Sequence, residues 1–226
     1  MGADARGVRV TVDAPEDVAL VPSKMPDSSY QLDMAEAGIR IRCAEPAGLV
    51  QALRVLGQLG RMPGSRETHG AGSMLRIPTG RIVDSPRFQY RGVHLDVVRH
   101  FFDAPFVKRL LLLMASLGFN VFHWHLTDDQ GWRIPIRGYP RLTEVGAFRS
   151  GPDGSKYGGY YREDEIRAIV EFAGSLGILV VPEIELPGHA RAAIAAYPQL
   201  SCLKQPVDVW TQWGICDDVL CAGNEL

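Results

Sequence analysis

Long apolar runs are missing from this sequence. The longest, Leu110 to Ala115, is far short of the ~20 residues that cross a bilayer. The N-terminus offers no leader either: Met1 to Val12 places Asp4 and the following Asp13 around two arginines and lacks an apolar h-region, so neither export nor membrane insertion is expected from it. Charge of one sign is also missing. Lys and Arg number 24 against 26 Asp and Glu, a net charge of −2, and the basic residues are scattered, which excludes the electrostatic footprint of a nucleic-acid binder. Cysteine is scarce. Cys43, Cys202, Cys216 and Cys221 lack zinc-ribbon spacing and the last three crowd one short segment, so buried thiols are the expectation and a loop disulfide the alternative. What is present, 46% hydrophobic and 22% charged residues over 226 positions, suffices for a soluble globular chain with a real core, in one large domain or two small ones.

The organisation changes near Asp84-Ser85-Pro86. Before it, Tyr30 to Asp33 and Ile39 to Cys43 read as a hairpin around Ala37-Gly38, the second strand alternating Ile39, Ile41 and Cys43 against Arg40 and Arg42. Leu49, Leu53, Leu56 and Leu59 then recur at helical spacing after Pro46, with Gly60 at the stop. Residues 61–73 read as a Gly- and Ser-rich charged loop, and Met74 to Ile77 as a returning strand before Pro78. Residues 1–84 are therefore expected to form a small α+β domain.

From Arg91 onward strands alternate with helices, the pattern of parallel βαβ units. Gly92 to Val97, Asn120 to Leu126 and Ile178 to Ile184 are the expected strands, the third an apolar run of the kind buried on both faces. Between the first two, Phe106, Leu110, Leu113, Met114 and Leu117 predict a helical face turned to a sheet, with Asp103 as cap and Pro105 in the first turn. A second helix begins at the acidic run Glu163-Asp164-Glu165, where its dipole favours negative charge, and joins Ile166, Ile169, Val170 and Ala173 on one side. A short helix, Ala190 to Ala196, follows strand three.

Each strand runs into ionisable residues at the same end: Arg99-His100, Asp128-Asp129 and Pro187-Gly188-His189. In a parallel barrel that end carries the active site. An open doubly wound sheet also binds ligands there, but with a glycine-rich phosphate loop after the first strand; none follows Val97, which favours the barrel.

The segments Arg91-Gly-Val-His-Leu-Asp-Val-Val-Arg-His-Phe, Phe122-His-Trp-His-Leu-Thr-Asp-Asp-Gln-Gly-Trp132 and Val181-Pro-Glu-Ile-Glu-Leu-Pro-Gly-His189 resemble the first three strand-end signatures of glycoside hydrolase family 20, the β-N-acetylhexosaminidases. Order and spacing match too, and the hairpin and helix before Gly60 are similar to the family's small N-terminal domain, so the resemblance covers roughly residues 18–226. It implies an α/β fold: a partial TIM (β/α)8 barrel, its first three βα units in residues 85–226, preceded by the small α+β domain. It implies no cofactor. Its partner would be an N-acetylhexosamine-terminated oligosaccharide or glycoconjugate, and family members are often exported, periplasmic or lysosomal.

By the same resemblance Arg99 grips hydroxyls of the terminal sugar, a task suited to planar, permanently charged donors; the alternative is an arginine paired on the barrel rim. Asp128 and His189 form a hydrogen-bonded pair behind the general acid, tuning its proton affinity, or else cap two strand ends. Asp96, His123, Trp124, His125, Glu183 and Glu185 are weaker candidates that barrel-interior packing explains as well. On one strand His123 and His125 share a face and Trp124 takes the other. The family often has Asp where this chain has Glu185, which keeps the charge but changes its reach.

The family reaction is retaining hydrolysis of terminal β-linked N-acetylglucosamine or N-acetylgalactosamine, with the substrate's acetamido oxygen as nucleophile. It needs an Asp-Glu pair in a His-x-Gly-Gly-Asp-Glu motif at the end of strand four. No such motif occurs here; the only Asp-Glu dipeptide is Asp164-Glu165, at the wrong end of its unit. The expectation is an N-terminal portion stopping before strand four, with roughly 150 residues of five further units absent, inactive by itself and prone to self-association through exposed barrel edges. Two other readings stand beside it: a short sugar-binding protein without catalysis, and a metal-dependent barrel hydrolase in which His123 and His125 bind zinc with Asp128 or His189.

Overall fold

The structure, a computed structural model, describes residues 10–13, 27–62, 66–69 and 72–224. The expectations for residues 1–9 and 14–26, for 63–65 and 70–71 of the loop, and for Glu225 and Leu226 lie outside the described residues. Two compact units result: Met1–Arg91 with Leu111–Val121 and Ala173–Leu179, and Gly92–Leu110 with Phe122–Phe172 and Val180–Leu226.

In the first unit, β1 (Val10–Asp13), β2 (Tyr30–Ala35) and β3 (Gly38–Cys43) begin a sheet. β2 and β3 pair antiparallel from Tyr30 opposite Cys43 to Ala35 opposite Gly38, the hairpin that the alternation predicts. Gly38, at φ 141°, supplies a turn conformation that L side chains rarely take. α1 (Pro46–Leu59) starts on a proline, which costs nothing where the first N–H has no partner anyway. It approaches the chain so closely that a Cβ on Gly48 would stand 2.3 Å from the Ser29 carbonyl oxygen. Tyr30, Leu32, Met34, Ile39, Ile41 and Ala52 are buried together, with Leu49, Leu56 and Leu59 packed against them.

Two expectations fail in this unit. Residues 61–73 are not all loop: β4 (Arg66–His69) pairs antiparallel with β5 (Gly72–Leu75), so the strand expected at Met74–Ile77 begins two residues earlier and ends at Leu75. A further strand, β6 (Gly80–Asp84), pairs antiparallel with β2 and completes the order β1-β3-β2-β6. β6 is an edge strand whose residues are mostly exposed, so it carries no apolar alternation to announce it; its pairing comes from the unused side of β2.

Next come β7 (Gly92–Asp96), α2 (Ala104–Leu117) and β8 (Val121–His125), then β9 (Thr127–Asp128), β10 (Gly131–Trp132), α3 (Arg141–Glu144), β11 (Phe148–Ser150) and β12 (Lys156–Gly158), and finally α4 (Glu163–Ser175), β13 (Leu179–Glu183) and α5 (Arg191–Ala196). β7, β8 and β13 lie side by side in that order. Near their starts, the Asn120 and Val121 N–H groups donate to the Arg91 carbonyl and Leu179 to that of Asn120; near their ends, Val97 donates to His125 and Leu126 to Glu183. Starts meet starts and ends meet ends, so the strands run parallel. β13 is half-buried rather than covered on both faces, with Pro182 exposed; among the described residues it is the edge of this sheet, with β8 as its neighbour.

Asp103 caps α2, its carboxylate accepting the Phe106 N–H at 2.9 Å. The buried stripe of α2 is Val107, Leu111 and Met114, whereas Leu113 and Leu117 are exposed. Of the face predicted from Phe106, Leu110, Leu113, Met114 and Leu117, Met114 is buried, Phe106 and Leu110 are half-buried and the rest exposed, so the buried stripe is rotated by about one position. Leu110 to Met114 are all apolar, so periodicity alone supports two stripes and tertiary packing selects one. In α4 Ile169 and Ala173 are buried, as the spacing requires.

The connection from Thr127 to Tyr161 is folded. β9 and β10 form one small antiparallel pair, β11 and β12 another, and the fully buried Arg133 joins them. Its Nε donates to the Val97 carbonyl at 3.0 Å and its Nη2 to Val98 at 2.6 Å, while Nη1 donates to Ala147 at 2.5 Å and Gly159 at 2.9 Å. A Cβ on Gly131 would lie 2.6 Å from this guanidinium, so glycine there makes room for it. Downstream, Cys202 and Cys221 form a disulfide, with Cys43 and Cys216 free. Buried thiols thus hold for Cys216 but not for its two neighbours, which the chain brings to a Cα–Cα separation of 4.8 Å, within bridging range.

The rotated α2 face yields a direct comparison. Met114→Ala removes a buried side chain and is expected to cost about 2–5 kcal/mol, whereas Leu113→Ala should stay within about 0.5 kcal/mol. Urea denaturation of the two variants checks the order, and a reversed order refutes the burial assignment.

Candidate active site

Three parallel strand ends deliver the site. β7 leads to Arg99, β8 leads through Leu126 into β9 and Asp128, and β13 leads to His189. The structure brings these three residues together on one carboxylate. Asp128 is 1% exposed. Its Oδ2 lies 2.6 Å from Arg99 Nη2 and 2.9 Å from His125 Nε2; its Oδ1 lies 3.0 Å from His189 Nδ1 and accepts the Asp129 N–H at 2.6 Å. Burial alone would raise the Asp128 pKa, but the His125 hydrogen bond, the Asp129 N–H and the nearby Arg99 and His189 charges outweigh it and hold the carboxyl below its usual range.

Arg99 is clamped on three sides. Nη1 meets Asp96 Oδ2 at 2.8 Å, Nη2 meets Asp128, and Nε donates to Gln130 Oε1 at 3.0 Å. Asp96 also accepts the Val98 and Arg99 N–H groups on Oδ1, at 2.9 and 3.0 Å, so one carboxylate fixes both the turn after β7 and the guanidinium. Burial opposes ionisation of Asp96, yet the Arg99 and backbone hydrogen bonds hold its pKa below the usual value. Gln130 is oriented in turn by donating to the Gln212 and Gly214 carbonyls at 3.2 and 3.4 Å. His189 sits at φ 50°, the left-handed region that a non-glycine residue adopts at a cost; its bond to Asp128 is the visible compensation.

A second cluster forms around Glu183. His94 Nε2 lies 3.1 Å and His123 Nε2 2.7 Å from Oε2, and His125 Nδ1 lies 3.1 Å from Oε1. The last contact is short but out of line, and His125 Nδ1 makes no hydrogen bond among the described residues. Burial would raise the Glu183 pKa, but Glu185, His125 and His94 pull it down to about 2. Glu185 is raised instead, chiefly by the neighbouring Glu183 carboxylate, and its own N–H donates to Thr127 Oγ1 at 2.8 Å. His125 loses some proton affinity to burial and regains more from Asp128, Glu183 and Asp96, so its pKa rises. Trp124, on the opposite face of β8, is buried against Tyr161 at a ring distance of 4.7 Å.

Three contributors are not among the site residues expected from the sequence, although Asp129 is one of the strand-end groups. Gln130 orients Arg99. Asp129, fully buried, accepts the Arg191 N–H at 3.1 Å and the Cys216 N–H at 3.2 Å, tying α5 and the segment after it to the site. Arg149 donates to the carbonyls of Val98, Arg99 and Gln130 at 3.2, 2.7 and 3.0 Å. Asp129 and Gln130 fall within the segment Phe122 to Trp132 that carries the family resemblance, and that is the signal pointing to them; Arg149 has none.

Ionisable groups gathered at the C-terminal ends of parallel strands, with an arginine held beside a buried Asp–His pair, define a polar-ligand site of the α/β enzyme type. Residues 88–226 match the family described as glycosyl hydrolase family 20, catalytic domain. The chain belongs to this family. It is 42% identical over 200 residues to a β-hexosaminidase of Porphyromonas gingivalis, covering 88% of this chain and 26% of that protein. A β-N-acetylhexosaminidase of Cellulomonas fimi is 40% identical over 185 residues, covering 82% and 36%. Among solved structures, a mutant Streptomyces plicatus β-hexosaminidase in complex with its product GlcNAc superposes with a TM-score of 0.80 at 34% identity, covering 98% of this chain and 43% of that one. The chain thus spans well under half the length of these relatives.

The titrating groups set a pH window. Asp96, Asp128 and Glu183 have depressed folded pKa values, so their stabilisation is complete above the ordinary carboxylate range, about pH 4, and is lost as pH falls through the folded values. His125 and Glu185 have raised values, so their stabilisation is complete below the unfolded values and is lost as pH rises through the folded ones. Urea midpoints should therefore peak at about pH 5–6. Asp128→Ala, which strands Arg99, His125 and His189, should cost about 3–5 kcal/mol at that maximum; a loss below 1 kcal/mol would mean the network is not formed.

Proposed function

We propose that this chain carries the sugar-gripping half of a β-N-acetylhexosaminidase site, acting on terminal β-linked N-acetylglucosamine or N-acetylgalactosamine by the retaining, substrate-assisted route. The observation that carries it is the state of Arg99. A guanidinium has five N–H donors; Asp96, Asp128 and Gln130 engage one each, which leaves two without a partner among the described residues. Two rigid, charged donors suit a pair of adjacent sugar hydroxyls. Asp128 and His189 act through the acid: a carboxylate bonded to His189 Nδ1 keeps that imidazole oriented behind the group that protonates the leaving oxygen.

The Asp-Glu pair that orients the acetamido group and supplies this proton is not among these 226 residues. Asp164 and Glu165 lie at the exposed start of α4, paired with Arg162, and cannot substitute. The chain by itself is accordingly inactive. Residues 85–226 supply three units of a (β/α)8 barrel and residues 1–84 the preceding α+β domain, with the folded Thr127–Tyr161 connection roofing the sugar. The parallel order β7, β8, β13 supports the barrel assignment. Exposed Leu112, Leu113 and Leu117 on α2 support self-association of the isolated chain, and the Cys202–Cys221 disulfide supports an oxidising compartment. The metal-hydrolase reading is weaker: His125 Nε2 is bonded to Asp128, so the two are partners rather than joint ligands.

A chimaera tests the proposal. Residues 88–226 of this chain, exchanged into the Cellulomonas fimi enzyme, should give turnover of an aryl N-acetyl-β-glucosaminide, while the 226-residue chain alone gives none. In the chimaera Arg99→Ala should lower kcat/KM by about 10²–10⁴-fold, the loss of two charged hydrogen bonds. An active chimaera indifferent to Arg99→Ala would refute the assignment.

A further inference from the structure

The cluster around Glu183 is not needed to hold Arg99, and its geometry asks for a cation. His94 on β7, His123 and His125 on β8, and Glu183 on β13 project one ligand-type side chain or more from each of three adjacent strands. Ligand atoms of His94, His125 and Glu183 lie within 4.8 Å of one another, and His123 Nε2 approaches the same carboxylate at 2.7 Å. His125 is 4% exposed. Its Nε2 is engaged by Asp128 at 2.9 Å, yet its Nδ1, 3.1 Å from Glu183 Oε1, has no hydrogen bond among the described residues. If Nε2 carries the hydrogen that Asp128 accepts, a neutral ring turns the Nδ1 lone pair toward a carboxylate oxygen. Two lone pairs at that separation repel, so positive charge belongs between them: a proton, or a metal ion.

We propose that His94, His125 and Glu183, flanked by His123, form a binding site for one divalent transition-metal ion of the zinc class, distinct from the Arg99 subsite and a site that family membership does not imply. Zinc binds imidazole nitrogen and carboxylate oxygen at about 2.0–2.2 Å in tetrahedral sites, which sets neighbouring donors about 3.3 Å apart. The His-to-Glu183 separations of 2.7, 3.1 and 3.1 Å lie about 0.2–0.6 Å short of that spacing, and ligand atoms of the set spread over as much as 4.8 Å close by up to about 1.5 Å on side-chain rotation. Asp128 completes the arrangement: a ligand histidine commonly donates its other ring N–H to a carboxylate, which fixes the tautomer and raises its basicity. His94 is 48% exposed at its side chain, leaving an approach from solvent. The neighbouring Asp128, Asp129 and His189 group is a poorer host, because the Asp129 oxygens already accept the Arg191 and Cys216 N–H groups and those of Asp128 serve four donors. An ion at Glu183 would cross-link three strands beneath the sugar site and hold His125 neutral.

The test uses the full 226-residue chain, stripped with EDTA, in calorimetric titrations with ZnCl2 and visible spectra with CoCl2. The expected result is one equivalent of zinc bound with Kd of about 1 μM or tighter, a rise in Tm, and cobalt d–d bands without thiolate charge transfer. His94→Leu and Glu183→Gln should each weaken binding at least about tenfold and Asp128→Asn by about 10–100-fold, while Cys43→Ser leaves it unchanged. Circular dichroism checks each variant's fold, and Glu183→Gln decides if His94→Leu does not fold. Absence of saturable binding would assign the charge to a proton alone and overturn the proposal. So would affinity indifferent to both His94→Leu and Glu183→Gln, or a cobalt spectrum showing sulfur ligation by Cys43 or Cys216.

Discussion

Everything at this site depends on how the chain leaves its first parallel strand, and two arginines fix that exit. Arg133, without solvent exposure, takes the carbonyls of Val97 and Val98, and Arg149 takes those of Val98 and Arg99. Burial pushes the Arg133 pKa down to about 10, still well above neutrality, so it remains a cation held by backbone dipoles. A guanidinium suits this because its donors fan out in one plane and can meet carbonyls from separate segments at once. The other ends of the clamp are Ala147, Gly159 and Gln130. The long connection after Asp128 is thus a brace: it sets where Arg99 begins and thereby where its side chain reaches.

From that fixed start the polar groups assemble in order of burial. Asp128, almost fully buried, serves as common acceptor for Arg99, His125, His189 and its neighbour's N–H. A carboxylate with this many donors stays ionised in a low-dielectric setting that would otherwise protonate it. His125 passes the charge pattern on, with Asp128 on one nitrogen and Glu183 beyond the other. Arg99, at the outer edge, retains partial exposure and unused donors, the condition for meeting a ligand.

What could be read from the sequence follows from how local the signal is. The β2–β3 hairpin, the three parallel strands and the Asp103 cap are set by period, turn residues and side-chain chemistry within a few positions, and they appear as expected. The strand-end rule brought Arg99, Asp128 and His189 to one place because three separate strands obey it. The buried face of α2 was ambiguous because five consecutive apolar residues satisfy two helical stripes. β6 has no apolar alternation, being held by hydrogen bonds to β2. The Cys202–Cys221 bridge depends on a chain path that spacing does not encode. Arg133, Gln130 and His94 are invisible to any local rule, since each takes its role from segments tens of residues away.

Arg99 is proposed as the sugar contact, held ready by Asp128. Titrating the chain with N-acetylglucosamine, observed by NMR at the Arg99 side-chain Nε–H and the histidine rings, tests this most directly. The account predicts saturable shifts at Arg99 and His189 with Kd of about 1 mM, abolished by Arg99→Ala with the fold intact. Saturable binding that persists unchanged in Arg99→Ala, or shifts confined to residues outside the Arg99–Asp128–His189 network, would contradict it.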